Sequence, residues 1–203
     1  MKTGTKLTLA SVTAIALVGF GILASMLRHG LSARDQPTAV EAALARSMRL
    51  LAMPRAARTA KNPVPFTDEI LSEGRAHFAD HCALCHGNDG RGETQIGRNL
   101  YPKPPDMASS ATQSLSDGDL FYIIKNGIRL TGMPAWGEDT REDDRESWEL
   151  VHFIRHLPRM TQEEVEDMKA MNPKTREECE EEAEIERFLR GEGSASPRPE
   201  HQH

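Results

Sequence analysis

The pentapeptide Cys82-Ala83-Leu84-Cys85-His86 decides the fold and the chemistry of this 203-residue chain. Two thiols at this spacing can each add to one vinyl group of a haem, and the adjoining imidazole can then bind the iron. The motif therefore predicts one covalently attached haem c, held through Cys82 and Cys85. His86 is the expected axial ligand of its iron.

Two other uses of a C-x-x-C pair compete with haem attachment. A zinc site needs a second pair of Cys or His ligands, and the one further cysteine, Cys179, lies far away in an acidic segment. A thioredoxin-like dithiol would follow a strand, whereas the residues before Cys82 have a helical pattern. Both alternatives are disfavoured. Three cysteines leave no pair for a structural disulfide beside the haem, and we expect Cys179 to fill a small apolar slot on a helix.

Helical patterns lie on both sides of the pentapeptide. Thr67 or Asp68 can cap a helix whose packing face includes Gly74 and Phe78, and that helix leads into Cys82. Two later helices are predicted, one from Ser116 or Asp117 to Asn126 and one from Arg141 to Leu157. No convincing strand alternation appears, so the predicted fold class is all-α, with three to four helices around one haem.

The second axial ligand is expected in the stretch Gly132-Met133-Pro134-Ala135-Trp136. The Met133 thioether, on a loop stiffened by proline, is a weak and oriented ligand that releases no proton on binding. Met133 is one of nine methionines, so residue type alone proves little. Its position between two predicted helices places it where the chain can cover the opposite face of the haem.

Together these motifs resemble class I, monohaem cytochromes c, and the flanking sequence looks like that of membrane-anchored bacterial members. The resemblance implies that the first and last helices cross at a glycine and an aromatic residue. Those residues would be Gly74 and Phe78, packed against Leu150 and Phe153. It also implies that a backbone carbonyl of the proline-rich loop accepts the second N–H of the His86 imidazole, with three candidates: Pro102, Pro104 and Pro105.

The N-terminal segment predicts the compartment. Residues 7–27 carry no charge, and as a helix they would rise about 30 Å, which is the thickness of a bilayer core. The stretch Leu31-Ser32-Ala33 is a poor cleavage site, so an uncleaved signal anchor is favoured over a signal peptide. Because the maturation of c-type cytochromes is extracytoplasmic, the resemblance implies a single-pass anchor in the cell membrane with the haem domain in the periplasm.

We expect four regions: a signal anchor at 1–27, a basic tether at 28–65, a cytochrome c domain at 66–160, and an acidic helical extension with a flexible tail at 161–203. The tether contains seven basic residues against two acidic ones. Within it, four apolar residues fall at helical spacing: Val40, Leu44, Met48 and Leu51. Whether this stripe packs on the domain or docks on lipid is left open.

The acidic extension has two predicted helices. Thr161 and Glu164 form a capping box for the first, which ends near Asn172, and the second runs from Thr175 to Arg190. The second helix is rich in glutamate, which is typical of a solvated face. Its apolar edge leaves open that it packs on the domain or docks a partner.

Other histidines have a spacing that permits metal binding: His77 with His81, His152 with His156, and His201 with His203. Each helical pair is expected to be a polar helix face, because no third ligand is evident. Metal binding by the terminal pair is not favoured either.

Ligation by His86 and Met133 leaves the iron no open position, which predicts a single-electron carrier rather than an enzyme. Its expected partners are redox proteins of a respiratory or related chain, met singly or within a larger complex, and no nucleic acid. Donor and acceptor are not identified by the sequence. The alternative is a haem-based gas sensor or peroxidase-like enzyme in which Met133 leaves the iron.

Overall fold

The computed structural model describes residues 3–29, 32–138 and 140–190, and those ranges contain helices but no strand. The all-α prediction is confirmed. In chain order the helices are α1 (Thr3–His29), α2 (Ala39–Ala52), α3 (Arg55–Thr59), α4 (Asp68–His77), α5 (Ala83–His86), α6 (Ser110–Gln113), α7 (Asp117–Asn126), α8 (Arg141–His156), α9 (Gln162–Asp167) and α10 (Arg176–Leu189). Shorter segments have a π-helical turn at Phe78–Cys82 and 3₁₀ turns at Gly97–Asn99, Leu157–Arg159 and Met168–Met171.

The predicted helix starts are confirmed by their side-chain caps. At each start a hydroxyl oxygen accepts a hydrogen bond from a backbone N–H three residues further on, which satisfies a donor that the helix itself leaves free. These capping residues are Thr67, Ser116, Thr161 and Thr175. Local sequence therefore sets where these helices begin.

Helices α4 and α8 cross in direct backbone contact at Gly74. A Cβ atom on Gly74 would lie 2.5 Å from the Glu149 carbonyl oxygen and 3.3 Å from the Cβ of Phe153. One turn further, the rings of Phe78 and Phe153 have centroids 4.9 Å apart, and both side chains are buried. The crossing implied by the resemblance is present, but the surface facing Gly74 is the backbone of Glu149 and the side chain of Phe153, not Leu150.

The core continues from this crossing onto α7. Leu120 and Ile124 of α7 are buried in the same apolar cluster as Leu150 of α8. Next to them the rings of Phe121 and Trp148 stack, with centroids 4.1 Å apart and planes 7° from parallel. Helices α4, α7 and α8 therefore surround one core. Some of the remaining segments pack on this core, and others lie outside it.

The second half of the basic tether is part of this compact unit. The backbone at Gly118 meets the Ala57 carbonyl so closely that a Cβ there would collide with it. The Ser116 hydroxyl donates to the Arg58 carbonyl at 2.8 Å, and the Asn62 side-chain amide donates to the Trp148 carbonyl at 2.8 Å. The packed unit therefore begins well before residue 66.

The first part of the acidic extension also joins the core. Met168 is fully buried, with 0% of its surface exposed. The Asn172 side-chain amide donates to the Ala79 carbonyl at 2.9 Å, and the amides of Asn88 and Asn172 bond each other. The packed unit thus extends to about residue 172 instead of ending at 160.

Two helices lie largely outside this unit. Helix α1 contains the window Thr8–Ser25, which has a mean hydropathy of 1.9 and is nowhere buried in the protein, so by length and composition α1 is able to cross a membrane. Helix α10 has no buried residue. Cys179 on α10 is exposed, so the expectation that it fills an apolar slot is wrong.

A carboxyl group is buried at the α4–α8 crossing. Glu149 is 3% exposed, and its Oε1 forms an ion pair with the Arg145 guanidinium. Burial raises the pKa of Glu149 to about 7, although the Arg145 guanidinium, 3.0 Å away, acts in the opposite direction. The folded protein therefore binds a proton at Glu149 more tightly than the unfolded chain does, and it is less stable above pH 7 than at pH 4 on account of this group.

We expect Glu149→Gln to flatten the pH dependence of unfolding. The stability that protonated Glu149 contributes is lost as the pH rises from its unfolded value of about 4.5 to about 7, and the amide does not titrate. Above pH 7 the variant should gain up to about 3 kcal/mol in the free energy of unfolding. Urea titrations of the holoprotein between pH 4 and pH 8 measure this. Glu163→Gln, at an exposed position of α9, is the control, and equal pH profiles for parent and E149Q would contradict the prediction.

We expect the two parts of the extension to differ in their effect on stability. Deleting residues 173–203 should leave the thermal midpoint nearly unchanged, whereas deleting 161–203 should lower it strongly because Met168 and Asn172 are lost. Met168→Ala should cost about 2–5 kcal/mol because it empties a fully buried site. Lys169→Ala is the exposed control. Equal midpoints for the two truncations would show that residues 161–172 do not support the core.

Candidate functional site

The pentapeptide lies where α4 changes its helical period. After His77 the chain makes the π-helical turn Phe78–Cys82, in which the Ala83 N–H bonds the Phe78 carbonyl, and it then continues as α5. Helix α5 ends at Gly87, whose φ of 75° suits a residue without a side chain. Such π turns inside α-helices are frequent at functional sites. This one presents Cys82, Cys85 and His86 on one short helical segment.

The His86 imidazole is buried, and one of its ring nitrogens lacks a hydrogen-bond partner among the described residues. The residue is 7% exposed, and burial lowers the pKa of His86 to about 4, so the ring is neutral at pH 7. A neutral imidazole is the form that binds a metal. Its Nδ1 is buried and has no hydrogen-bond partner among the described residues. A buried ring with an unmatched nitrogen fits a residue that serves a cofactor.

The proline-rich loop approaches the site in a different way from the one that the resemblance implied. No carbonyl of this loop accepts a hydrogen bond from His86, so that expectation for Pro102, Pro104 and Pro105 is wrong for the described structure. The contact runs through Gly92 instead. Its N–H donates to the His86 carbonyl at 2.6 Å, and a Cβ on Gly92 would lie 2.7 Å from the Pro104 carbonyl oxygen.

The two thiols do not have the character of a redox dithiol. Burial, helped by the neighbouring Cys85, raises the pKa of Cys82 to about 12, and burial also raises the pKa of Cys85. A catalytic dithiol needs a thiol with a lowered pKa. The described ranges also hold no cluster of three His, Cys, Asp or Glu side chains that would suit zinc. Both thiols are unpaired and half-buried, which fits attachment of haem c.

The loop that carries Met133 is closed by its own hydrogen bonds. The Ile128 N–H donates to the Met133 carbonyl at 3.1 Å, and the Met133 N–H donates to the Thr131 hydroxyl at 3.1 Å. At its end the Trp136 N–H donates to the Ile124 carbonyl of α7 at 3.2 Å. Met133 itself is half-buried. The loop therefore has a defined shape anchored on α7, while the role of Met133 as a ligand stays a prediction.

An aromatic contact joins the Met133 loop to the segment with the pentapeptide. The Trp136 ring stands edge-on to His81, with centroids 5.4 Å apart and planes at 90°, and His81 makes a similar contact to His77 at 4.9 Å. His81 directly precedes Cys82 in the π turn. The fold thus brings the two predicted halves of the site together through Trp136, a residue to which the sequence pattern assigned no role.

The remaining histidines have structural contacts. His152 hydrogen-bonds the Val64 carbonyl at 2.8 Å, and His156 hydrogen-bonds the Glu164 carboxylate at 2.9 Å. The described residues contain no group of three His, Cys, Asp or Glu side chains placed to hold a metal ion. His201 and His203 lie outside the described residues.

An all-α domain that has a C-x-x-C-H motif next to two helices crossing at a glycine is a cytochrome c domain of class I. More particularly, residues 69–154 match the model of a family described as cytochrome c oxidase, cbb3-type, subunit III. A cytochrome c domain is therefore present in the chain. Such domains carry covalently bound haem and use it for electron transfer.

Two individual proteins are similar to this chain. The first is the cbb3-type cytochrome c oxidase subunit FixP of Rhizobium meliloti (strain 1021), which is 30% identical over 81 residues, and the match covers 37% of this chain and 26% of that relative. The chain thus spans about a quarter of the curated relative that it matches. The second is a solved structure, the Kuenenia stuttgartiensis reducing HAO-like protein complex Kustc0457/Kustc0458. It is 22% identical with a TM-score of 0.40, over 48% of this chain and 49% of that chain.

We expect covalent haem attachment to depend on Cys82 and Cys85 alone. The double variant Cys82→Ser/Cys85→Ser has no thiol at the site that can form a thioether, so it should lose haem on a denaturing gel and show the mass of the bare chain. Haem staining and intact-protein mass spectrometry measure this. Cys179→Ser is the matched control and should keep the mass and the stain of the parent. A haem adduct that survives in the double variant would contradict the assignment.

Proposed function

We propose that this protein is a single-electron carrier with one haem c, attached through Cys82 and Cys85, whose iron is bound by His86 and Met133. The observation that carries the proposal is the buried, neutral His86 on the same short helical segment as two unpaired thiols. The Trp136 contact to His81, which holds the Met133 loop against this segment, supports it further. When bound, haem c supplies an iron that takes up and releases one electron.

The side chains around the site favour transfer of an electron without a proton. Both proposed ligands are uncharged at neutral pH, because burial keeps His86 neutral and a thioether has no proton to lose. The apolar Phe78 ring lies beside the His86 imidazole, with centroids 6.4 Å apart. Uncharged ligands in apolar surroundings disfavour an added positive charge, so we expect a positive reduction potential.

The proposed localisation of the protein is the cell membrane. We infer that residues 7–27, within the apolar helix α1, anchor the chain and that the haem domain lies in the periplasm. The exposed apolar window of α1 supports the anchor. The extracytoplasmic maturation of cytochromes of this class supports the periplasmic side.

The proposed partners are redox proteins of a respiratory chain. The similar FixP protein is an oxidase subunit, which favours service to a membrane respiratory complex, either as a subunit or as a tethered donor. The chain itself is proposed to carry electrons and not to catalyse a reaction at the haem. Ligation by both His86 and Met133 distinguishes it from a gas sensor or a peroxidase, because either of those needs a free coordination position on the iron.

We expect Met133→Ala to remove the sulfur ligand. The ferric parent should show the far-red absorption band of sulfur-to-iron ligation and bind carbon monoxide slowly or not at all in the ferrous state. The variant should lose that band, become high-spin and bind carbon monoxide quickly. Optical spectroscopy and flash photolysis measure both properties.

Met107→Leu is the matched control for this prediction. Met107 is also a loop methionine, but it is buried and its N–H is bonded to the Gly90 carbonyl. An unchanged spectrum for Met133→Ala together with a changed one for Met107→Leu would show that the ligand is Met107. A parent that lacks the far-red band and binds carbon monoxide rapidly would favour the sensor or peroxidase function instead.

A further inference from the structure

Helix α2 is a well-formed helix between the membrane anchor and the haem domain. Its N-terminus has a reciprocal capping box, in which the Glu41 N–H donates to the Thr38 hydroxyl at 3.3 Å and the Thr38 N–H donates to the Glu41 carboxylate at 2.7 Å. A capping box satisfies two backbone donors with local residues only. Helix α2 therefore begins at a defined residue without help from the core.

The two faces of α2 have different surroundings. One face is turned towards the protein, where Ala42 and Arg49 are half-buried and the residue that ends the helix, Met53, is 5% exposed. The opposite face carries four large apolar side chains with high exposed fractions: Val40 at 77%, Leu44 at 59%, Met48 at 60% and Leu51 at 86%. At 3.6 residues per turn these four lie within one stripe. A contiguous stripe of this kind marks an interaction surface, whereas isolated exposed apolar residues do not.

The position of the stripe favours a lipid surface as its occupant. Helix α1 ends at His29 and α2 begins at Ala39. The short connection between them spans at most about 30 Å even when fully extended. If α1 crosses a bilayer, the apolar stripe is held beside that bilayer.

The charges around the stripe favour an anionic surface. The tether that contains the stripe has seven basic residues against two acidic ones. Of these, Arg34 and Arg55 are exposed just before and just after α2, while Glu41 is occupied in the capping box. Basic residues beside an apolar helix face are attracted to anionic head groups. Burial of the apolar side chains in the bilayer contributes to binding independently of this attraction.

We propose that α2 lies in the interface of an anionic lipid bilayer, with Val40, Leu44, Met48 and Leu51 in contact with the acyl boundary. The proposal rests on the membrane anchor proposed above. Because the segment from Ala57 to Val64, shortly after α2, packs on the haem domain, an interfacial α2 would hold that domain in one orientation to the membrane. The protein would then present a constant face to partners in the same membrane.

The test uses the full-length holoprotein in nanodiscs that hold one copy each. A Cys179→Ser background leaves no free thiol, because haem attachment consumes the other two. Single cysteines are introduced by Leu44→Cys and Leu51→Cys in the stripe. Ala45→Cys, at an exposed position on the side of the same helix, is the matched control, and Leu17→Cys reports on α1. The reagent is a maleimide that cannot cross membranes, and its rate of reaction is measured by mass spectrometry.

In phosphatidylglycerol nanodiscs we expect the cysteines at 44 and 51 to react about tenfold more slowly than the one at 45. The protection should weaken in phosphatidylcholine nanodiscs and at high salt, because charge attraction is screened there. A diazirine-bearing phosphatidylglycerol should also crosslink to peptides of α2.

Three results would overturn the proposal. If positions 44 and 51 react as fast as 45 while position 17 stays protected, the anchor holds but α2 is not interfacial. If position 17 reacts as fast as 45, the anchor itself fails. If protection at 44 and 51 persists in detergent and rises with protein concentration, the stripe is covered by a second copy of the chain and not by lipid.

Discussion

Helices α4 and α8 make direct backbone contact at Gly74, where a Cβ atom would lie 2.5 Å from the Glu149 carbonyl oxygen. That closeness lets the rings of Phe78 and Phe153 meet one turn further on, and it buries the carboxyl of Glu149 at the same time. The segment that leaves the crossing is the π turn that carries the pentapeptide. A side chain at Gly74 would move α4 and with it both thiols and the imidazole.

The site is built on one rigid helical segment and one loop. Cys82, Cys85 and His86 follow from the crossing, whereas the Met133 loop is held from the other side by α7 and by Trp136 against His81. The buried Nδ1 of His86 has no hydrogen-bond partner among the described residues. Buried polar atoms without partners are costly, so such an atom is tolerated where a bound group orders the site.

The appendages of the domain differ in the way they are attached. Residues 53–65 and 161–172 are fastened by hydrogen bonds to backbone carbonyls of the core, as shown by Asn62 to Trp148 and Asn172 to Ala79. Helix α2 touches the domain with one face and leaves the other free, and α10 is exposed along its whole length. The packed unit is therefore longer than the family match at 69–154. In the chain it is preceded by the apolar and basic helix α2 and followed by the acidic helix α10.

The haem-attachment motif and the helix starts could be predicted from the sequence. Those features are local: a pentapeptide that suits haem c, hydroxyl caps at Thr67 and Ser116, and helical spacing of apolar residues. Contacts made only in the folded protein account for the π turn, for the burial of Glu149 and for the packing of parts of segments 57–64 and 161–172 on the core. They also leave His86 Nδ1 without a carbonyl partner among the described residues. The physical reason is that each of these depends on contacts between segments far apart in the chain, such as Met168 against the first helix of the domain, which no local pattern of residues specifies.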